Sequence, residues 1–150
     1  MTNSLASPNS DRLTKVLLSI RPEFAEKIFD GQKIFEFRKS VFINNSVSHV
    51  ILYATMPTGK IVGHFKIGGF LSSGPEDLWE QTKFGAGISR DYFMSYFHGR
   101  PVAHAIRVLS PKRYRSPIAL PSECLRHPPQ SFRYVRASFS RGVCKFFCSG

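Results

Sequence analysis

Three ionisable residues lie close together in an otherwise apolar stretch, the sequence GQKIFEFR at residues 31–38. Lys33 can neutralise phosphate as a point charge, and Arg38 can donate two parallel hydrogen bonds to a phosphate or a base edge. Glu36 can accept hydrogen bonds from an exocyclic amine or orient the two cations. Grouped ionisable residues also favour a shifted lysine pKa, which acid–base catalysis requires. If the chain is an enzyme, Lys33 and Glu36 are therefore the candidate catalytic residues.

The spacing of these residues predicts a strand. Side chains alternate between the two faces of a strand, so Phe35 and Phe37 share one face while Glu36 and Arg38 share the other. A slip of one residue would bury two charges and expose two phenyl rings, so burial selects this register. We expect the phenylalanines in the core and the charges on a concave basic surface. The simpler alternative is a half-buried strand whose Glu36 and Arg38 only pair with each other at the surface.

A short helix is predicted just before this strand, and it brings two more candidates to the cleft. Pro22 suits the first turn of a helix, and the apolar residues at 24, 25, 28 and 29 form one stripe. Gly31 is placed to end the helix. Ser19 and Arg21 directly precede it, and we expect them to share the cleft with Lys33.

Further strands are predicted at 13–20, 48–54, 60–70 and 102–109, with short helices starting near residues 75 and 90. Gly68 and Gly69 indicate a bulge within the third of these strands. The second helix carries an aromatic stripe at helical spacing, which is typical of core packing and, alternatively, of a base-stacking platform. The stripe consists of Tyr92, Phe93, Tyr96 and Phe97.

A basic loop is predicted after Pro111, which we expect to end the last of these strands. Lys112, Arg113 and Arg115 lie in this loop and are candidates to follow the phosphates of a nucleic-acid backbone.

The charge of the chain is concentrated in its last third. Of the formal net charge of +11, residues 1–99 hold 11 Lys and Arg against 9 Asp and Glu, whereas residues 100–150 hold 10 Lys and Arg against Glu123 alone. This asymmetry indicates a polyanionic partner, with nucleic acid before an acidic membrane surface, unless the charge serves solubility only. An apolar run long enough to span a membrane and a signal-peptide core are both absent, so we expect a cytoplasmic protein without membrane association.

Metal and cofactor sites are not predicted. The three cysteines all lie at or after residue 124, which does not indicate a disulfide framework. Cys144 and Cys148, with Cys124 and His127 upstream, only weakly resemble zinc-ligand spacing. The sequence contains no phosphate loop of the Walker or Rossmann type.

The segment 31–38 resembles the signature Gly-x-Lys-x-x-Glu-x-Arg of ASCH domains, which belong to the PUA-like superfamily. The resemblance extends, in order, over residues 18–29, 50–55, 59–63, 86–89 and 129–134. It implies an α+β fold, a PUA-like pseudo-β-barrel of about five to six strands with flanking short helices. The expected organisation is a disordered leader at 1–12, the ASCH domain at 13–135 and a basic C-terminal tail of unknown structure at 136–150.

The resemblance implies a module that binds RNA or a nucleotide, and such a module can have a regulatory role. The alternatives are a hydrolase acting on RNA or on a modified nucleoside, and a protein–protein adaptor, since ASCH domains also occur in coactivator assemblies. Small relatives that act as amidohydrolases on acetylcytidine share the lysine at Lys33, but Glu36 stands where they have threonine. Ala86 and Gly87 stand where they have an acid, so the amidohydrolase activity does not transfer directly to this chain.

Overall fold

The computed structural model describes residues 14–42, 46–120, 132–140 and 143–147, which form an α+β fold. The strands are β1 (Thr14–Ile20), β2 (Phe35–Arg38), β3 (His49–Ala54), β4 (Lys60–Ser73), β5 (Ala103–Ile118), β6 (Phe132–Ser140) and β7 (Val143–Phe147). The helices are α1 (Pro22–Phe29), α2 (Pro75–Thr82) and α3 (Arg90–Tyr96), with a 3-10 turn at Lys83–Gly85. None of the helices in the described ranges has the length and apolar character that crossing a bilayer requires. The predicted leader at 1–12 lies outside these ranges.

All seven described strands belong to one mixed sheet in the order β2-β5-β4-β3-β1-β6-β7. β1 and β3 pair in parallel, and the other neighbours pair antiparallel. This confirms the α+β class with short helices, but the described strands form an open sheet with β2 and β7 at its edges and do not close into a barrel. The sheet has one strand more than expected because the backbone of the predicted tail continues β6 and adds β7.

The prediction that Pro111 ends a strand is wrong, because β5 runs on to Ile118. Ser110 adopts a positive φ of 47°, and the pairing of β4 with β5 changes register between His64 and Lys66. Such an irregularity accommodates a proline, which has no N–H to donate to the ladder. Residues 112–115 are therefore part of a strand and not a basic loop.

The predicted register of β2 is confirmed on its apolar side. Phe35 and Phe37 are 2% and 5% exposed, and both belong to an aromatic core cluster that includes Phe93 and Phe97 from α3 and its C-terminal end. The start of the strand follows from the end of α1, where Gly31 has a φ of +80° and donates its N–H to the carbonyl of Ile28. A left-handed residue at this position ends the helix and turns the chain towards Lys33.

The side of the sheet that α1 does not cover carries a polar cluster, which we call the histidine face. Its members are Lys15, Ser48, His49, His64, Lys66, Lys112 and Tyr114, placed by the pairing of β3, β4 and β5 and by the start of β1. His64 Nδ1 lies 2.6 Å from the hydroxyl of Tyr114. Burial, followed by the charges of His49, Lys112 and Lys15, lowers the pKa of His64 from 6.5 to about 4.

The substitution Phe37→Ala tests the core role of β2. Truncating a large aromatic residue in a packed core costs ~3–5 kcal/mol, and Phe37 makes edge-to-face contacts with Phe93 and Phe97. We expect a loss of this size in the free energy of unfolding measured by urea denaturation. Met56→Ala is the control, because Met56 is 77% exposed and surface changes usually stay within about 0.5 kcal/mol. A Phe37→Ala protein as stable as the control would contradict this assignment.

The lowered pKa of His64 predicts a stability that depends on pH. Below pH 6.5, His64 of the unfolded chain becomes protonated, whereas His64 of the folded chain stays neutral until about pH 4. The contribution of His64 to the free energy of unfolding is therefore complete above pH 6.5 and is lost as the pH falls through about 4. The His64→Gln variant should therefore lose less stability than wild type over this window in chemical denaturation. His98→Gln changes an exposed histidine outside the histidine face and should follow wild type.

Candidate functional site

A pocket of about 140 Å³ lies where the end of β1, the start of α1, β2 and α3 meet, and we call it the Lys33 pocket. Its walls are Ser19, Ile20, Arg21, Phe24, Lys33, Glu36, Phe37, Arg38, Ile88, Tyr92 and Tyr96. Five residues predicted for the cleft from the sequence are among them, namely Ser19, Arg21, Lys33, Glu36 and Arg38. The structure thus brings together the signature strand and the residues before α1, as expected.

The three charges of the signature form one chain of ion pairs in the pocket wall. The Glu36 carboxylate lies 3.8 Å from Lys33 Nζ and 3.5 Å from Arg38 Nη1. The side chains of Lys33, Glu36 and Arg38 are only 2%, 6% and 12% exposed. The prediction that Glu36 and Arg38 lie on an open basic surface is therefore wrong in one respect, because both faces of β2 are buried. A carboxylate between two cations can be buried, whereas an isolated one cannot.

Lys33 has the most enclosed charge in the pocket. Its Nζ donates to the carbonyl of Ala86 over 3.0 Å and lies 4.6 Å from the centre of the Phe37 ring. Burial lowers the pKa of Lys33, the charge of Glu36 opposes that change, and the charge of Lys27 adds to it. A lysine with a lowered pKa releases its proton more readily than an exposed one, which acid–base chemistry requires.

The loop between α2 and α3 closes over Lys33 by backbone contacts. The carbonyls of Gly85, Ala86 and Gly87 accept hydrogen bonds from the Ile34 N–H, Lys33 Nζ and Lys27 Nζ, at 2.9, 3.0 and 2.9 Å. Gly87 has a φ of +68°, and a Cβ added there would lie 2.6 Å from Lys33 Cβ. The loop can approach Lys33 this closely only with glycine at position 87.

Aromatic side chains form a further part of the pocket wall, and the sequence pattern did not assign them to the site. The N-cap of α3 is Ser89, whose hydroxyl accepts the Tyr92 N–H over 3.1 Å. The aromatic stripe then divides, because Phe93 and Phe97 are buried in the core while Tyr92 and Tyr96 line the pocket. The signal for this division was the spacing of the two tyrosines, four residues apart on one helical face. Burial raises the pKa of Tyr96.

Arg21 forms the exposed rim of the pocket. Its side chain is 58% exposed, pairs with Glu23 at 2.9 Å and lies 3.4 Å from the Tyr92 hydroxyl. Tyr92 in turn packs edge-to-face against Phe24, with ring centres 5.4 Å apart. The rim therefore presents one accessible guanidinium beside two aromatic rings.

The three basic residues predicted after Pro111 are absent from the pocket lining. Arg113 pairs with Glu26 and Asp30 of α1 and its end. Lys112 lies beside His64 in the sheet, on the histidine face, and Arg115 is exposed on β5. The structure therefore places these three residues outside the wall of the Lys33 pocket.

The metal-binding pattern considered from the sequence falls largely outside the described ranges, which exclude Cys124, His127 and Cys148. Within those ranges, no three His, Cys, Asp or Glu residues are grouped to hold a metal ion.

An α+β domain with a mixed sheet and a charged pocket built on a Gly-x-Lys-x-x-Glu-x-Arg segment is a domain of the PUA-like class. The ASCH domain family model matches residues 18–112, and this chain belongs to the ASCH domain family. The crystal structure of ASCH from Zymomonas mobilis is similar to it, with a TM-score of 0.74 and 28% sequence identity, over 81% of this chain and 87% of that chain.

Three proteins with sequences similar to this chain carry different names. An ASCH domain-containing ribonuclease of Zymomonas mobilis is 27% identical over 126 residues, which cover 81% of this chain and 84% of that protein. Large ribosomal subunit protein uL22 of Ureaplasma parvum is 29% identical over 87% of this chain, and ATP synthase subunit alpha of the same species is 30% identical over 81%. The chain spans only 42% and 15% of the length of these last two proteins.

The substitution Gly87→Ala tests the closure of the loop over Lys33. A non-glycine residue at positive φ costs roughly 1–2 kcal/mol, and the clash with Lys33 should add ~1–3 kcal/mol of overpacking. Gly99→Ala is the matched control, because Gly99 has a φ of +76° but an added Cβ would meet nothing within 4 Å. We expect Gly87→Ala to lose clearly more stability than Gly99→Ala in urea denaturation. Equal losses would mean that the loop is free to move away from Lys33.

Proposed function

We propose that this chain binds RNA and takes one nucleotide into the Lys33 pocket. The observation that carries the proposal is the buried arrangement of Lys33, Glu36 and Arg38 in one pocket with the aromatic side chains of Phe24, Tyr92 and Tyr96. The three charges sum to one positive charge, so the pocket stays cationic after its internal pairs are formed. Membership of the ASCH family and the similarity to an ASCH domain-containing ribonuclease support an RNA ligand.

The size of the pocket supports a single unstacked base. A cavity of about 150 Å³ holds one benzene-sized ring, and the Lys33 pocket measures about 140 Å³ and is open on one side. Proteins recognise single-stranded RNA by stacking unpaired bases on aromatic side chains. Phe24, Tyr92 and Tyr96 offer such surfaces beside the charged wall.

The polar groups divide between base and backbone in this proposal. Glu36 accepts hydrogen bonds from an exocyclic amine of the base, and Arg38 donates two parallel hydrogen bonds to acceptors on the base or on its phosphate. Arg21 at the exposed rim neutralises a flanking phosphate, because it is the most accessible cation of the pocket. The chain then needs no cofactor to bind its ligand.

A hydrolase acting on RNA is the second candidate function. Two observations favour it, the lowered pKa of the buried Lys33 and the 27% identity to a protein named as a ribonuclease. In that case one of Lys33 and Glu36 would accept the proton of the attacking hydroxyl, and the other would donate a proton to the leaving oxygen of the phosphodiester. An adaptor function would show itself as capture of partner proteins that survives nuclease treatment.

The substitution Arg38→Lys tests RNA binding in the pocket. It keeps the charge that Glu36 requires and removes the fork that two parallel hydrogen bonds require. A good bidentate contact is worth about 1–3 kcal/mol, so the affinity for labelled single-stranded RNA should fall by roughly five- to a hundredfold in fluorescence anisotropy. Arg38→Ala is less suitable, since it would leave the buried Glu36 with one cation fewer.

Arg100→Lys is the matched control for this measurement, because Arg100 is exposed and absent from the pocket lining. Its affinity should equal that of wild type, and both variants should melt close to the wild-type temperature. Unchanged affinity in a folded Arg38→Lys protein would remove Arg38 from the proposed site.

The substitution Glu36→Gln separates the binding module from the hydrolase. It removes the acid at nearly constant size, so any proton transfer through Glu36 stops. Because the buried Lys33 and Arg38 then lose their charge partner, a thermal melt first checks that the variant is folded. For a binding module we expect labelled RNA to stay intact on a gel with wild type and with Glu36→Gln, and wild type to bind it. Cleavage by wild type that Glu36→Gln abolishes, but that the exposed control Glu80→Gln retains, would establish the hydrolase instead.

A further inference from the structure

The histidine face concentrates positive charge on a part of the sheet away from the Lys33 pocket. Its cations sit on neighbouring strands, because Lys66 of β4 pairs with His49 of β3, and Lys112 of β5 pairs with His64 of β4. Lys66 and Lys112 are both exposed. Adjacent strands lie about 4.8 Å apart, so these side chains form one continuous basic strip across three strands.

Hydrogen bonds hold the inner members of the strip in place. Lys15 Nζ donates to Ser48 Oγ over 3.0 Å, and this oxygen lies 2.8 Å from His49 Nδ1. The rings of His49 and His64 meet edge-to-face with centres 5.8 Å apart. The bond between His64 and Tyr114 completes the row, so the face is preorganised.

The strands that build this face contain no carboxylate. β1, β3, β4, β5 and β6 carry no Asp or Glu, and Glu123 is the one acid after residue 99. Burial, followed by the charges of Lys15 and Lys66, lowers the pKa of His49, and burial is also the largest cause of the lowered pKa of His64. Such a surface is electrostatically complementary to a polyanion.

We infer that the histidine face binds the phosphodiester backbone of RNA, as a second contact surface separate from the Lys33 pocket. Lys66 of β4 and Lys112 of β5 supply the exposed charges. The ordered row of Lys15, His49 and His64 runs beside them across β1, β3 and β4. Backbone phosphates carry no base sequence, so this surface adds affinity and orientation, whereas the pocket selects a nucleotide.

The double substitution Lys66→Gln/Lys112→Gln in the full chain tests this surface. The probe is fluorescein-labelled oligouridylate, and its binding is followed by anisotropy over a series of salt concentrations. Each phosphate contact contributes ~0.7 to the slope of log affinity against log salt for single strands. Losing two contacts should lower the slope by about 1.4 and weaken binding at ~0.1 M salt by roughly tenfold or more.

Lys60→Gln/Lys83→Gln is the charge-matched control, since both lysines are exposed and neither belongs to the histidine face or the pocket. It should keep the wild-type salt slope. Labelled oligothymidylate should show the same loss with Lys66→Gln/Lys112→Gln as oligouridylate does, because the contact is to phosphate and not to the ribose hydroxyl.

The outcome is independent of the pocket. If Arg38→Lys binds as wild type but Lys66→Gln/Lys112→Gln does not, the proposed role of Arg38 in the pocket fails and the second surface stands. If Lys66→Gln/Lys112→Gln keeps the salt slope of its control, or loses affinity for the RNA probe alone, backbone binding by the histidine face is overturned.

Discussion

The Glu36 carboxylate is the group on which the architecture of the Lys33 pocket depends. Lys33 is almost fully enclosed, and its ammonium is compensated by Glu36, by the Ala86 carbonyl and by the face of Phe37. Arg38 is compensated by the other carboxylate oxygen and by the carbonyl of Ser19. Removing the carboxylate would leave two buried cations facing each other, so the strand can be buried on both faces only with all three charges in place.

The same pairs explain how distant elements come to share one pocket. Arg38 connects β2 to the end of β1 through the Ser19 carbonyl, and Lys33 connects β2 to the loop after α2 through Ala86. That loop leads into α3, so the contact to Lys33 also determines where Tyr92 and Tyr96 stand. Within the described residues, every buried side-chain nitrogen and oxygen has a partner. The aromatic wall is therefore held in place by the signature strand.

Local patterns predicted much of this arrangement. The period of two identified Phe35 and Phe37 as core residues, and Gly31 marked the end of α1. These features depend on neighbours in the chain, and the sequence records them directly. Five of the pocket residues followed from the signature and its lead-in for the same reason.

The remaining features depend on contacts between residues far apart in sequence. The depth of Lys33 follows from a loop more than 50 residues away, which no local pattern contains. β5 continues past Pro111 because its pairing with β4 changes register between His64 and Lys66, and this irregularity accommodates the proline. The division of the aromatic stripe into core phenylalanines and pocket tyrosines could be predicted only by knowing where β2 lies, because Phe37 of β2 packs against Phe93 and Phe97.

The positions of two neighbouring basic residues on β5 show why net charge alone does not locate a ligand-binding site. Lys112 and Arg113 are adjacent in a basic segment, but alternation along β5 sends them to opposite sides of the sheet. Arg113 meets Glu26 and Asp30 of α1 and its end, which neutralise it. Lys112 joins a face whose strands carry no acid, so its charge remains available to an external anion. One cation of the last third, Arg113, is thus paired within the fold, whereas another, Lys112, joins Lys15 and Lys66 on the histidine face.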